Sequence, residues 1–133
     1  MKELKIEAKA ENLDSVMNFI VNELEAAGCS KKLQTQIKIA VEEIFVNISN
    51  YAYYPVVGGA VIRIVVGDDV SIEFEDNGTP YNPLEKDDPD ITAGAEEREI
   101  GGLGIFMVKN IMDSVEYRHE NNKNVLLIRK ALV

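Results

Sequence analysis

The spacing of apolar residues changes several times along the chain, and each change predicts a new structural element. In the N-terminal stretch MKELKIEAKA, apolar residues alternate with charged ones, which is the pattern of a half-buried strand over about 2–10. The next apolar residues recur three and four positions apart, which predicts an amphipathic helix over about 12–27 that Gly28 ends as a C-terminal cap. A second helix is predicted to begin after Ser30, its N-cap, and to end before Pro55.

The rest of the chain contains two predicted hairpins and one more helix. The β-branched runs GGAVIRIVVG and DVSIEFEDNG predict antiparallel strands over about 59–67 and 70–76. A helix pattern restarts at Gly102, and the runs SVEYRHE and NVLLIRKAL predict a second hairpin after it. Residues 77–100 contain three of the four prolines without lasting periodicity. So long a connection in a small domain is usually functional, and we interpret residues 84–100 as a lid.

The order of these elements favours an α+β fold. Helices and strands do not alternate one for one, which suggests a two-layer sandwich with helices on one face of a mixed, mostly antiparallel sheet. A chain of 133 residues with 46% hydrophobic content can bury one core but is too short for two ordinary domains. We therefore predict a single domain over residues 1–133.

Composition narrows the choice of partners and compartment. The chain has 14 Lys and Arg residues against 23 Asp and Glu residues, a formal charge of -9. This charge disfavours nucleic acid and anionic membranes as partners. The single cysteine, Cys29, cannot form an internal disulfide, and no apolar run is long enough to span a bilayer. These features predict a soluble cytoplasmic protein.

Glu43 and Asn47 lie one helical turn apart at the border of the apolar stripe of the second predicted helix. A carboxylate at that border is costly to desolvate unless it has a partner or a task. An amide oxygen can bind Mg²⁺, which takes few protein ligands when substrate phosphates supply the rest, and a carboxylate can take a proton from a nucleophile. Taken alone, the pair is also compatible with solvated residues at a helix boundary.

Two further stretches carry candidate chemistry. In FEDNGTPYNP, the carboxylate of Asp76 can accept a hydrogen bond from an exocyclic amine such as that of adenine, and Gly78 lets the backbone approach a flat ring. In EIGGLGIF, three glycines begin a helix whose free amides and positive dipole end can bind an anion. Each stretch alone is also compatible with an ordinary turn. The sequence has no G-x-x-x-x-G-K-[ST] motif, which excludes a P-loop as the phosphate site.

Together and in this order, the three motifs resemble a known set. E-x-x-x-N on a helix, D-x-G-x-P after a strand and G-G-x-G at the start of a later helix resemble the N, G1 and G2 boxes of one ATPase family. Gyrase, heat-shock chaperones, histidine kinases and mismatch-repair proteins share that family, and the resemblance extends over residues 30–132. Within it, NYAY and GGLGIFMVKNIMDSVEY are similar to the boxes of the anti-sigma-factor serine kinases of bacterial partner-switching systems.

The resemblance implies a role for each matched residue. Glu43 would be the general base, and Asn47 would bind the Mg²⁺ that bridges the ATP phosphates. Asp76 would bind the adenine amine with Gly78 beneath the ring, while Thr79 would support Asp76 through its hydroxyl or merely begin the turn. The remaining residues would contact the phosphates, although the lid residue among them is also compatible with a solvated charge: Arg98, Gly101, Gly102, Leu103 and Gly104.

By the same resemblance, the chain would be an ATP-dependent protein-serine kinase and an anti-sigma factor. It would bind a sigma factor, phosphorylate an anti-sigma antagonist and form a homodimer. One alternative is an ATP-binding regulatory module with little or no kinase activity, and another is an interaction domain that binds no nucleotide. Outside the motifs, we predict that His119 is an ordinary surface residue and that Met107 and Met112 face the core.

Overall fold

The helices and strands predicted from the sequence are present in the predicted order. The structure is a computed structural model and describes residues 1–52, 58–85 and 102–132. The elements in these ranges are the helices α1 (Leu13–Ala26), α2 (Lys31–Asn47) and α3 (Gly102–Ile111) and the strands β1 (Lys2–Glu7), β2 (Gly59–Val66), β3 (Asp69–Asp76), β4 (Ser114–Glu120) and β5 (Lys123–Ala131).

The five strands form one sheet in the order β1-β2-β3-β5-β4, and all four pairings are antiparallel. Both predicted hairpins form, and β5 rather than β4 lies next to β3. The residue composition of the two strands explains this order. Strand β5 buries Val125, Leu126 and Ile128, whereas β4 exposes Arg118 and His119 and suits a sheet edge. The α+β prediction is confirmed, with antiparallel pairing throughout.

Alternate residues of the strands face the helices and form the core with them. Ile62 pairs with Phe74, and Phe74 pairs with Leu126, so these side chains share one face of the sheet. The apolar stripes of α1 and α2 pack on that face and complete a two-layer sandwich. The largest fully buried side chains come from both layers: Val16, Ile20, Leu24, Ile37, Val41, Ile44, Phe45, Ile62, Ile64, Ile72, Phe74 and Ile128.

Local hydrogen bonds explain where the first two helices end and begin. Gly28 has a φ of 76°, and its amide and that of Cys29 bond to the carbonyls of Glu25 and Leu24 at 3.0 Å each. These two bonds are the Schellman pattern, so Gly28 is the predicted C-terminal cap. The hydroxyl of Ser30 accepts a hydrogen bond from the amide of Leu33 at 3.2 Å, which confirms the predicted N-cap.

Some boundaries differ from the prediction. Strand β1 ends at Glu7 instead of residue 10, because the chain turns into a short 3₁₀ helix over Ala10–Asn12. The second helix changes at Ile48–Ala52 into a π-helical turn, a form common at functional sites. Within that turn the hydroxyl of Ser49 donates to the carbonyl of Phe45 at 2.9 Å.

Three predictions outside the motifs can also be checked. His119 is exposed on β4, as predicted for a surface residue, and Met112 is buried. The prediction for Met107 is wrong, since 37% of that residue is exposed. Helix α3 packs through Ile105 and Val108, and Met107 lies between them on the solvent side of the helix. Within the described part of the chain, no helix is long and apolar enough to cross a membrane.

Candidate functional site

A cleft that is partly open to solvent lies between α2, the start of α3 and the adjacent ends of β3 and β5. Most of its wall is apolar, which suits a flat ring, and its polar groups are few. The lining residues are Ile44, Asn47, Ile48, Asp76, Thr79, Tyr81, Pro83, Ile105, Asn124 and Leu126.

Asp76 is the buried carboxylate of the cleft, with 6% of the residue exposed. It stands at the end of β3, on the inward face that Ile72 and Phe74 form. Its Oδ1 atom accepts hydrogen bonds from the Gly78 amide and from Nδ2 of Asn124, both at 2.9 Å. Within the described residues, Oδ2 has no hydrogen-bond partner. Because a buried polar atom without a partner is costly, Oδ2 is a candidate acceptor for a ligand.

Glu43 and Gly104 bring α2 into close contact with the first turn of α3. A Cβ atom added to Gly104 would lie 3.3 Å from Cδ of Glu43 and would overlap its Oε2. Only glycine therefore leaves the Glu43 carboxylate where it is. Asn47, one turn further along α2, lines the cleft, and both Glu43 and Asn47 are half-buried. Both side chains therefore lie at the border of the buried face of α2, as the sequence predicts.

The structure brings several of the predicted site residues together. Asn47, Asp76 and Thr79 line one cleft, and Gly78 bonds to Asp76. Gly104, in the first turn of α3, contacts Glu43. Gly102 begins that helix.

The other predicted site residues are placed only in part. Arg98 and Gly101 lie outside the described residues, as do the side chain of Leu103 and the predicted lid beyond Glu85. Thr79 takes part differently from the expectation: its backbone carbonyl accepts a hydrogen bond from Asn124 at 3.0 Å. In the part of the chain that the structure describes, Asp76 is held by Gly78 and Asn124 and not by the Thr79 hydroxyl.

Sequence reasoning missed Asn124, the second buried polar residue of the cleft, which is 6% exposed. Its Cα pairs with that of Asp76 across β3 and β5. The sequence does contain a local signal. Asn124, Leu126 and Ile128 are alternate residues of one strand, so their side chains lie on the same inward face. A polar residue on that face was therefore detectable, but it closely follows the turn residues Asn121 and Asn122 and resembles part of the turn.

The described residues include no cluster of three or more His, Cys, Asp or Glu side chains able to hold a metal ion. Of the two side-chain amides that line the cleft, that of Asn124 is held by protein partners, and that of Asn47 lies on the same wall as Ile105 in the first turn of α3. The Asn47 amide fits a cation such as Mg²⁺, which is commonly held by one or two protein oxygens plus substrate phosphates.

Comparisons with known proteins agree with this geometry. The sequence profile of the histidine kinase-like ATPase domain matches residues 6–130. The chain is 31% identical to the serine-protein kinase RsbW of Bacillus mycoides over 134 aligned residues, covering 96% of this chain and 82% of the relative. It is 28% identical to the serine-protein kinase RsbW of Listeria monocytogenes, covering 77% of this chain and 69% of the relative.

Solved structures share the fold at low sequence identity. The structure of the RsbU and RsbW domains of Rv1364c from Mycobacterium tuberculosis matches with a TM-score of 0.70 and 15% identity, over 99% of this chain and 33% of that one. The histidine kinase domain of a blue-light activated histidine kinase from Erythrobacter litoralis matches with a TM-score of 0.53 and 16% identity, over 90% and 59% of the two chains. From the profile match and the 31% identity, the chain belongs to the histidine kinase-like ATPase family, in the group of the serine-protein kinase RsbW.

Proposed function

We propose that this chain is an ATP-dependent protein-serine kinase and anti-sigma factor. The observation that carries the proposal is the cleft itself, where Asn47 and Asp76 share one apolar pocket and Glu43 lies against the first turn of α3. A purine triphosphate needs a flat apolar slot, an acceptor for its amine and a positive region for its phosphates. The described residues supply a candidate for each of the three.

Asp76 is the proposed adenine contact. Its Oδ1 is already occupied by the Gly78 amide and Asn124, so Oδ2 remains to accept a hydrogen bond from the 6-amino group of adenine. Ile48 and Leu126, which line the same cleft, would contact the faces or edges of the ring. Removing apolar ring surface from water would supply much of the affinity.

Asn47 and the start of α3 are the proposed phosphate end. The first backbone amides of a helix lack partners within the helix, and the helix dipole is positive there. Gly102, Leu103 and Gly104 would offer such amides to the phosphates. Mg²⁺, held by the Asn47 oxygen and by phosphate oxygens, would neutralise the charge that develops during transfer. Gly101, Arg98 and the segment 84–100, the proposed lid, would add further contacts to the phosphates.

Glu43 is the proposed general base. A serine oxygen of the partner protein would form a bond to the γ-phosphorus while the bond from that phosphorus to the β,γ-bridging oxygen breaks and ADP leaves. The proton of the serine hydroxyl would go to a carboxylate oxygen of Glu43. Phosphoryl transfer requires mainly positioning and charge stabilisation, so one small domain over 1–133 would be sufficient.

The partners follow from the family. We propose that the chain binds a sigma factor, phosphorylates a serine of an anti-sigma antagonist, acts as a homodimer and works in the cytoplasm. The formal charge of -9 supports protein partners over nucleic acid.

The test of the kinase proposal is transfer of radiolabelled γ-phosphate to the cognate antagonist. Glu43→Gln keeps the shape of the side chain and removes the base, so labelling should fall by roughly 100-fold or more while ATP binding remains. Glu42→Gln is the matched control, because Glu42 is the exposed neighbour on the same helix and loses the same charge. Its labelling should be unchanged.

The outcomes separate the possible functions. Equal labelling by the native chain and the Glu43→Gln variant would reject Glu43 as the base. Tight Mg-ATP binding without any labelling by the native chain would favour the regulatory ATP-binding module. Absence of calorimetric binding at millimolar Mg-ATP would reject both.

A further inference from the structure

Asn124 is a buried side-chain amide whose hydrogen-bonding capacity is fully used. Nδ2 donates to Oδ1 of Asp76 at 2.9 Å and to the carbonyl of Thr79 at 3.0 Å. Oδ1 accepts from the amide of Tyr81 at 3.3 Å and from the hydroxyl of Tyr117. An amide has two donor hydrogens and one oxygen with two lone pairs, so this set satisfies the group completely.

These four bonds also fix which way the amide faces. Asp76 Oδ1 and the Thr79 carbonyl can only accept and the Tyr81 amide can only donate, so a flipped amide would face three unfavourable partners. Asn124 thereby joins three separate pieces of chain, namely the end of β3, the turn around Thr79 and strand β4. Of the residues bonded to Asn124, Asp76 is the one proposed to bind the adenine amine directly.

An aspartate carboxylate alone rotates readily, because its terminal torsion is broad. In this site the amide of Gly78 and Nδ2 of Asn124 both hold Oδ1, which prevents that rotation. Oδ2 is then the one carboxylate atom left to meet the base. A 6-amino purine offers a hydrogen-bond donor to Oδ2, whereas a 6-oxo purine would oppose it with a second acceptor.

We propose that Asn124 is a positioning and specificity-determining residue that sets the choice between 6-amino and 6-oxo purine nucleotides by fixing Asp76. This inference rests on the proposed ATP site. Asn124 acts through Asp76 and the 79–81 turn, so its loss should weaken recognition of the amine selectively. Binding of the ring and phosphates should be affected much less.

The experiment is calorimetric titration of the full chain with Mg-ATP and, separately, with Mg-ITP, whose base has an oxygen in place of the amine. Asn124→Asp is nearly isosteric, but it places a carboxylate oxygen beside Oδ1 of Asp76 where Nδ2 donates now. It should weaken ATP binding on the order of tenfold or more, the scale expected when a buried polar group loses its partner. ITP binding should change little, so the ratio of ATP affinity to ITP affinity should fall by about the same factor as ATP binding.

Two further variants keep the test decisive. Asn122→Asp is the matched control: it adds the same charge two residues away, at an exposed turn position with a φ of 61°, which Asp tolerates. Its affinity ratio should equal that of the native chain. Tyr117→Phe removes only the hydroxyl bonded to Asn124 and should lower the ratio about threefold, the effect of a modest hydrogen bond. Thermal unfolding of each variant shows whether it is folded.

The results distinguish this inference from the function on which it rests. If the native chain binds neither nucleotide, or binds ITP as well as ATP, the proposed ATP site is wrong. If the native chain prefers ATP and folded Asn124→Asp keeps that preference, the role of Asn124 is wrong and the ATP site stands. If Asn124→Asp does not fold, Tyr117→Phe decides, and an unchanged ratio there overturns the inference.

Discussion

The carboxylate of Glu43 on α2 lies in the space that a Cβ atom at Gly104 on α3 would occupy. The proposed base and the proposed phosphate-binding helix are therefore fitted to each other. Gly104, the third glycine of the GGLG stretch, is therefore explained by the space that the Glu43 carboxylate occupies, apart from any role in phosphate binding. A residue with a side chain at 104 would compete with Glu43 for the same position.

We predict that Gly104→Ala lowers phosphoryl transfer far more than it lowers stability. The atoms in the way are the flexible end of Glu43, which can rotate out, and alanine in a helix is favoured over glycine by about 1 kcal/mol. The melting temperature should thus stay level or rise. Displacement of the carboxylate should reduce labelling of the antagonist about as much as Glu43→Gln does.

The control for this variant is Gly67→Ala, since a Cβ at Gly67 has no heavy atom within 4 Å. It should leave both activity and melting temperature near native values. Full kinase activity of Gly104→Ala would show that Glu43 does not act from the position it occupies here.

The second prediction concerns the three donors that converge on Asp76. The amides of Gly78 and Asn124 donate to Oδ1, and the adenine amine is the proposed third donor. An Asn side chain at 76 must turn its own NH₂ group toward one of them. We therefore expect Asp76→Asn to weaken Mg-ATP binding by roughly 30-fold, corresponding to about 2 kcal/mol.

Asp69→Asn is the matched control for that titration. Asp69 begins the same strand and is exposed, so the variant loses the same charge at the far end of β3. It should bind Mg-ATP like the native chain. Equal affinity of Asp76→Asn and the native chain would remove Asp76 from the nucleotide site.

Local patterns in the sequence were enough for the elements and for most of the candidate site. Apolar spacing located all three helices, and the caps at Gly28 and Ser30 are properties of a few neighbouring residues. The contact between Asp76 and Asn124 is of another kind, because it joins residues 48 positions apart. It depends on β5 lying beside β3, and hydrophobic periodicity within either strand does not specify that pairing.

The remaining differences have similar causes. Met107 fitted a helix stripe in sequence, but α3 has only ten residues. Ile105 and Val108 make its buried side, and Met112 is buried just after the helix ends. The π-helical turn after Asn47 keeps a helical spacing of apolar residues, so the sequence pattern continued through it. Hydrophobic periodicity indicates which residues face the core, but it does not distinguish an α-helix from a π-helical turn.

The third prediction tests the start of the helix that carries Glu43 and Asn47. The Ser30 hydroxyl accepts from the Leu33 amide at 3.2 Å, so Ser30→Ala should lower the free energy of unfolding by about 1 kcal/mol. Ser15→Ala is the control, because Ser15 is exposed within the first turn of α1. Urea unfolding measures both, and equal losses would mean that the cap contributes no more than a surface serine.

The last prediction concerns the face of the sheet opposite the helices, where Arg63 joins three strands. Its guanidinium bonds to Glu3 at 2.8 Å, to Glu73 at 3.4 Å and to Glu75 at 3.3 Å. Burial lowers the pKa of Arg63, but the hydrogen bonds and charges of Glu3 and Glu75 outweigh it and raise the pKa above its ordinary value. The side chain stays charged, and it separates carboxylates that would otherwise repel one another across β1 and β3.

We expect Arg63→Gln to lower the free energy of unfolding by about 1–2 kcal/mol, because the Arg63 side chain is only 22% exposed and its bonds are charge-assisted. Arg118→Gln should cost less than about 0.5 kcal/mol, since that side chain is 47% exposed and solvent screens its ion pairs. Urea unfolding at low salt and at 1 M NaCl compares the two. The loss from Arg63→Gln should shrink at high salt, where charges are screened within about 3 Å, and losses of equal size for both variants would contradict a special role for Arg63.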